Sequence, residues 1–144
     1  RAVIAGLQRE GAQVTVHARD RQRVQPLIDD FGAAAGEWPV GGGWDLLVNC
    51  TPVGMYPNVE ASPVPVAALT GATVYDLVYN PLETRLLREA AGAGCTAIGG
   101  LDMLVAQAQD QFAWWTGTRP DAGVMREAAL ARLAEFRAHE DHYV

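Results

Sequence analysis

The sequence contains no lysine; all eleven of its basic residues are arginine. Compositional bias accounts for this in the ordinary case, yet it has a chemical consequence. No mechanism that needs a lysine can be completed within these residues. Cysteine is nearly absent as well. Cys50 and Cys95 stand alone, without the spacing of a metal site or a disulfide framework. Each borders an apolar run, so buried, reduced thiols are expected for both. Long apolar runs are missing: none approaches the roughly 18 residues of a membrane span, and no signal peptide opens the sequence. Positive charge is in deficit. A formal net charge of -6 argues against nucleic acid or an anionic membrane as the main partner. What is present is ordinary: 144 residues, 49% hydrophobic and 19% charged, suit one soluble globular domain with a real core. The cytoplasm is the expected compartment.

Along the chain, helical and strand patterns alternate. Arg1 to Glu10 reads as a helix that is already under way at the first residue, with Gly11 as its stop. Gln13 to His17 is a short β-branched run. Asp20 is placed to cap a helix that runs to about Phe31 and ends at Gly32, with Pro26 inside it. After three consecutive glycines, Trp44 to Asn49 forms a continuous apolar run, the pattern of a strand buried on both faces. A long loop follows, then a short helix at Val64–Leu69, a second buried strand at Thr73–Val78 and a helix over Thr84–Ala93. A strand at Thr96–Ile98 and helices over Leu101–Trp115 and from Asp121 to about His139 complete the pattern. This alternation predicts an α/β fold with a doubly wound parallel sheet of the Rossmann-like kind.

Such sheets bind ligands beyond the carboxyl ends of their strands. That rule selects four patches. In the first, His17-Ala18-Arg19-Asp20-Arg21-Gln22-Arg23, two guanidinium groups can clamp a phosphate; arginine at this strand end suits the 2′-phosphate of NADP, an acidic residue the 2′-hydroxyl of NAD. A solvated basic cluster is the plain alternative. Asp20 would repel a phosphate unless it is occupied as a helix cap. The second patch, Asn49 to Met55, offers the Thr51 hydroxyl, or is simply a turn. In the third, Tyr79 lies just past a strand, where half-buried packing is the commoner role. The fourth, Gly99 to Gln107, has two glycines that permit close backbone approach to a flat ring. There Asp102 is read as a helix cap, Gln107 shares a face with Met103, and Leu104, Ala108, Phe112 and Trp115 form an apolar stripe.

Three of these segments carry a resemblance. Trp44–Met55 (WDLLVNCTPVGM), Val74–Leu87 (VYDLVYNPLETRLL) and Gly99–Gly117 (GGLDMLVAQAQDQFAWWTG) are similar, in order and spacing, to the signature blocks of the shikimate dehydrogenase family. The similarity runs from Arg1 to about residue 130, and the last block is the most specific. It implies an NADP-binding domain spanning residues 1–144, with Arg19 and Arg23 at the 2′-phosphate and Thr51 along the adenosine. Leu77 and the Gly100 backbone would meet the nicotinamide, and Tyr79 and Gln107 the substrate. The family's usual Asn-Arg-Thr motif is Ala18-Arg19-Asp20 here, a loss of two polar contacts.

The resemblance further implies that the sequence starts at the Arg-Ala pair ending the family's glycine-rich loop. The first strand, that loop and the substrate domain with its catalytic Lys and Asp would then be absent. No catalytic residue and no metal ligand is therefore assigned, and these residues alone are expected to be inactive. The parent enzyme would interconvert shikimate and 3-dehydroshikimate with NADP; a homodimer is one assembly open to it. Three alternatives stay open: a quinate-preferring relative, a non-catalytic NADP-sensing paralogue, and a generic dinucleotide-binding domain such as that of glutamyl-tRNA reductase. The Gly99–Gln107 block argues against the last.

Overall fold

Every strand pairing in the computed structural model is parallel, as the alternation of elements requires. The structure describes residues 1–140, and of these the side chains up to Phe136. The chain divides into two compact units: residues 1–43 with 64–70, and residues 44–63 with the stretch from Gly71 onward.

The first unit contains α1 (Ala2–Arg9), β1 (Thr15–Val16), α2 (Arg21–Phe31) and β2 (Ala34–Ala35). It also holds a single 3-10 turn at Val66–Ala68, where the sequence suggests a longer helix. Asp20 caps α2 as expected, accepting a hydrogen bond from the Gln22 amide at 3.0 Å. Gly32 ends that helix in the left-handed region, at φ +63. Pro26 lies inside the helix, at the sixth residue, without ending it. Arg1 ties α1 to the end of α2: its guanidinium pairs with Asp30 and lies over the Phe31 ring. β1 pairs with β2 through Thr15–Ala34 and Val16–Ala35. The alanine pair carries no β-branched signal, which is why this strand is illegible in the sequence.

The second unit contains β3 (Leu46–Asn49), β4 (Thr73–Asp76), α3 (Arg85–Gly92), β5 (Thr96–Ile98), α4 (Leu101–Thr116) and α5 (Ala122–Glu140). Its sheet has the order β3-β4-β5. No described strand joins β1 or β2 to this ladder, so the expected single sheet is present as two parallel ladders. The position of β3 in its ladder corrects a sequence expectation. It is an edge strand, so only Asn49 among its residues is buried and Leu46 stays exposed, instead of both faces being covered. The central strand β4 is buried at alternate positions, with Val74 and Asp76 inside.

α3 packs on β4 and β5. Its Leu86, Leu87 and Ala90 are buried, the i, i+1, i+4 pattern of an amphipathic helix facing a sheet. On α4 the buried face is Leu101 and Val105. The stripe expected from Leu104 through Trp115 opens to solvent toward its end, where Phe112 and Trp115 are exposed. α5 packs against α4. Among the described residues no helix is long and apolar enough to cross a membrane.

Burial sets the energetic scale. Leu86→Ala should cost about 2–5 kcal/mol, the usual range for emptying a fully buried leucine site. Trp114→Ala, at a residue 86% exposed, should change stability by less than about 0.5 kcal/mol. Denaturant unfolding of the two variants checks the contrast; equal losses would contradict this assignment of the core.

Candidate functional site

The carboxyl ends of β3 and β4 lie side by side, because Asn49 and Asp76 are register partners. Both side chains are buried, and they meet: the Asn49 amide donates to Asp76 Oδ1 at 2.9 Å. The same Oδ1 accepts from the Val78 amide at 3.0 Å, and Oδ2 accepts from the Thr84 hydroxyl at 2.6 Å. Thr84 is itself the cap of α3, its oxygen accepting from the Leu87 amide at 3.3 Å. On the other side, Asn49 Oδ1 accepts from both the amide and the hydroxyl of Thr51, at 3.0 and 2.7 Å, while its Nδ2 also donates to the Val53 carbonyl. One carboxylate thus fixes the ends of two strands, the start of a helix and, through Asn49, the loop that carries Thr51. Because no buried side-chain polar atom among the described residues lacks a partner, the network is fully satisfied.

The sequence reading overlooks Asn49, Asp76 and Thr84 as a set. A signal exists, since each apolar run ends on a small polar residue, but only the strand register brings those ends together.

Thr51 follows as an exposed residue whose hydroxyl is engaged with Asn49, and the Val53 amide donates back to it at 3.2 Å. Leu77 is half-buried just past β4; its amide donates to the Asn49 carbonyl. Tyr79 is 39% exposed, and Gln107 is exposed on α4. Among the described residues neither the phenol nor the carboxamide has a hydrogen-bond partner.

Gly100 is buried at the start of α4, and its amide donates to the Val78 carbonyl. A Cβ at this position would lie 2.3 Å from the Leu77 carbonyl oxygen and 2.9 Å from that of Val78. The glycine is therefore demanded by the chain's own backbone, which presses the end of β4 against the start of α4. Asp102 does not cap this helix. Gly100 occupies the cap position without any side-chain bond, and Asp102, one position inside the helix, pairs with Arg126 of α5.

Cys50 is exposed rather than buried; Cys95 is buried as expected. Desolvation at the strand end nevertheless pushes the Cys50 thiol above its ordinary value, and the Asp76 carboxylate adds to the rise. A rise is the opposite of the shift that activates a cysteine nucleophile.

In the first unit, the end of β1 leads into the arginine cluster. Arg21 pairs with Glu37 at 3.8 Å and Arg23 with Asp20 at 3.1 Å. Arg19 is exposed and has no ion-pair partner among the described residues. His17 is held by the Glu37 carbonyl, 2.7 Å from Nδ1.

The same arrangement of strands and helices recurs in known proteins. The parallel α/β architecture is Rossmann-like, and residues 100–130 match the family model described as the shikimate 5′-dehydrogenase C-terminal domain. The shikimate dehydrogenase (NADP(+)) of Methanosarcina mazei is 39% identical over 145 residues, covering 92% of this chain and 52% of that protein. The structure of Thermus thermophilus shikimate 5-dehydrogenase in complex with NADP(H) and shikimate superposes with a TM-score of 0.82 at 41% identity, over 92% of this chain and 50% of that one. Quinate dehydrogenase from Corynebacterium glutamicum, in complex with NAD, gives 0.78 at 35% identity, over 90% of this chain and 50% of that one. Along most of its length the chain is thus similar to shikimate dehydrogenases. It spans about half the length of the relatives it matches.

The buried network yields a direct test. Asp76→Ala leaves the Asn49, Val78 and Thr84 donors without their acceptor and should destabilise the protein by about 3 kcal/mol or more. Thr84→Val, which removes the helix cap and one donor while keeping the shape, should cost about 1–2 kcal/mol. Thermal or urea melts measure both. An Asp76→Ala protein as stable as the parent would remove the carboxylate from its central position.

Proposed function

We propose that this chain is the cofactor-binding domain of an NADP-dependent shikimate dehydrogenase, a cytoplasmic enzyme that interconverts shikimate and 3-dehydroshikimate. The observation that carries the reading is the junction of β4 with α4. It sets half-buried Leu77 and the partnerless polar groups of Tyr79 and Gln107 on elements joined backbone to backbone. The relatives solved with nicotinamide cofactors, one of them also with shikimate, support it.

The residues present suit such a cofactor in their chemistry. Arg19 offers an exposed, uncommitted guanidinium at a strand end, the group that favours a 2′-phosphate. Arg23 is the second basic side chain for that phosphate, and Thr51 lies along the adenosine. Leu77 and the Gly100 backbone are the contacts for the nicotinamide end. When bound, NADP(H) supplies hydride exchange with the substrate carbon. The chain's own task is positioning: Asp76 and Gly100 keep the strand ends rigid, so that the reacting carbon is held at attack distance rather than sampled. Tyr79 and Gln107 donate to the substrate's oxygen atoms and orient its ring. In this reading no side chain of the chain moves the proton at the carbonyl oxygen; that role falls to a lysine and an aspartate outside these residues. A quinate-preferring enzyme is the second reading, favoured by the match to the Corynebacterium glutamicum protein. Steady-state kinetics with shikimate and quinate separate the two.

Two sets of substitutions test the assignment in the intact protein. Arg19→Ala should weaken NADP by about 1.5–3 kcal/mol while barely changing NAD, because only the phosphate contact is lost. Equal effects on both cofactors would show that Arg19 does not read the phosphate. Gln107→Ala and Tyr79→Phe should lower kcat/KM for shikimate with unchanged melting temperature. Unchanged kinetics in either variant would take that residue out of the substrate site.

A further inference from the structure

We propose that Asp20 is the residue that sets cofactor discrimination, by tying down Arg23 and by placing a fixed negative charge where a 2′-phosphate would bind. This rests on the cofactor reading above and goes beyond it. Three arginines follow β1, and on spacing alone Arg19 and Arg23 form a two-pronged phosphate clamp. The structure divides them. Arg21 is directed to Glu37 and Arg23 to Asp20, and only Arg19 is uncommitted among the described residues.

Asp20 is engaged through both oxygens: Oδ1 accepts from the Gln22 amide at 3.0 Å, and Oδ2 lies 3.1 Å from Arg23 Nε. The first contact is a helix cap, so the carboxylate cannot swing away without uncapping α2. The second is an exposed ion pair of three-residue spacing, which is weak by itself. To reach a phosphate Arg23 must give up this pair, and the carboxylate it leaves stays in place. A dianionic phosphate then meets two guanidinium groups and one carboxylate, and the attraction of one arginine is largely cancelled. A ribose that carries only hydroxyls meets no such penalty, and a strand-end carboxylate is the feature that suits it. The outcome is an enzyme that takes NADP through Arg19 with a narrowed margin over NAD.

The test is calorimetric titration of the intact protein with NADP+ and with NAD+. Asp20→Ser is the informative variant, because serine keeps the helix cap while removing the charge. It should tighten NADP+ by about tenfold relative to NAD+. Arg23→Ala should cost severalfold more NADP+ affinity in the Asp20→Ser background than in the parent, since only there is the guanidinium released from its carboxylate. An unchanged NADP+/NAD+ ratio in Asp20→Ser overturns the proposal, as does an Arg23→Ala cost that is the same in both backgrounds. Asp20→Asn, another capping residue, repeats the test should the serine variant melt early. Arg19→Ala separates the two levels of the claim. If it leaves NADP+ affinity untouched, the cofactor reading itself fails; if it weakens NADP+ while Asp20→Ser changes nothing, only the role of Asp20 falls.

Discussion

A carboxylate with no exposure to solvent costs several kcal/mol in desolvation unless donors surround it, and the second unit of this protein is arranged around meeting that requirement for Asp76. Its donors come from the end of the neighbouring strand, from the backbone two residues on, and from the capping residue of the next helix. Each donor lies on an element whose placement is thereby constrained. Asn49 cannot serve Asp76 without β3 and β4 being in the observed register, and Thr84 cannot do so without α3 starting where it does. Through Asn49 the constraint reaches Thr51 and the loop beyond it. A purely apolar core would hold the strands together with comparable strength, but it would tolerate small slippage. A saturated carboxylate does not, because a shift in any one partner leaves a buried polar atom unpaired.

The same economy governs the start of α4. Gly100 lies against the carbonyls of Leu77 and Val78 at a separation no side chain would permit, so the helix begins where β4 stops. Strand end and helix start form one rigid corner, with a half-buried leucine and uncommitted polar groups on the elements that build it. Corners of this kind are where parallel α/β domains place ligands. Rigidity is also what a positioning role requires, since displacement of a bound group by about an ångström can cost a hundredfold in rate.

Much of this arrangement is legible in the amino-acid sequence itself. The helix start at Asp20 and the stop at Gly32 follow from capping chemistry, and the parallel pairing follows from strands alternating with helices. The patches at the strand ends follow from fold class alone. Illegible features are those that depend on which residues become neighbours. Ala34–Ala35 has no strand signal and pairs only because β1 is there to receive it. Asp102 resembles a cap by position, yet Arg126, twenty-four residues on, claims it. The pattern of β3 overstates its burial, because an apolar run does not reveal that its strand lies at an edge of its ladder. Arg19 and Arg23 look equivalent in sequence; the ion pair with Asp20 separates them.

The central claim is that rigid strand ends in this chain hold a nicotinamide cofactor. The most direct measurement is a titration of the isotope-labelled intact protein with NADP+, followed residue by residue through its backbone amide resonances. The account predicts saturable shifts at Thr51, Leu77, Gly100 and Arg19, with α5 residues such as Ala128 and Leu133 unmoved. Shifts confined to other surfaces, or none at millimolar NADP+, would contradict it.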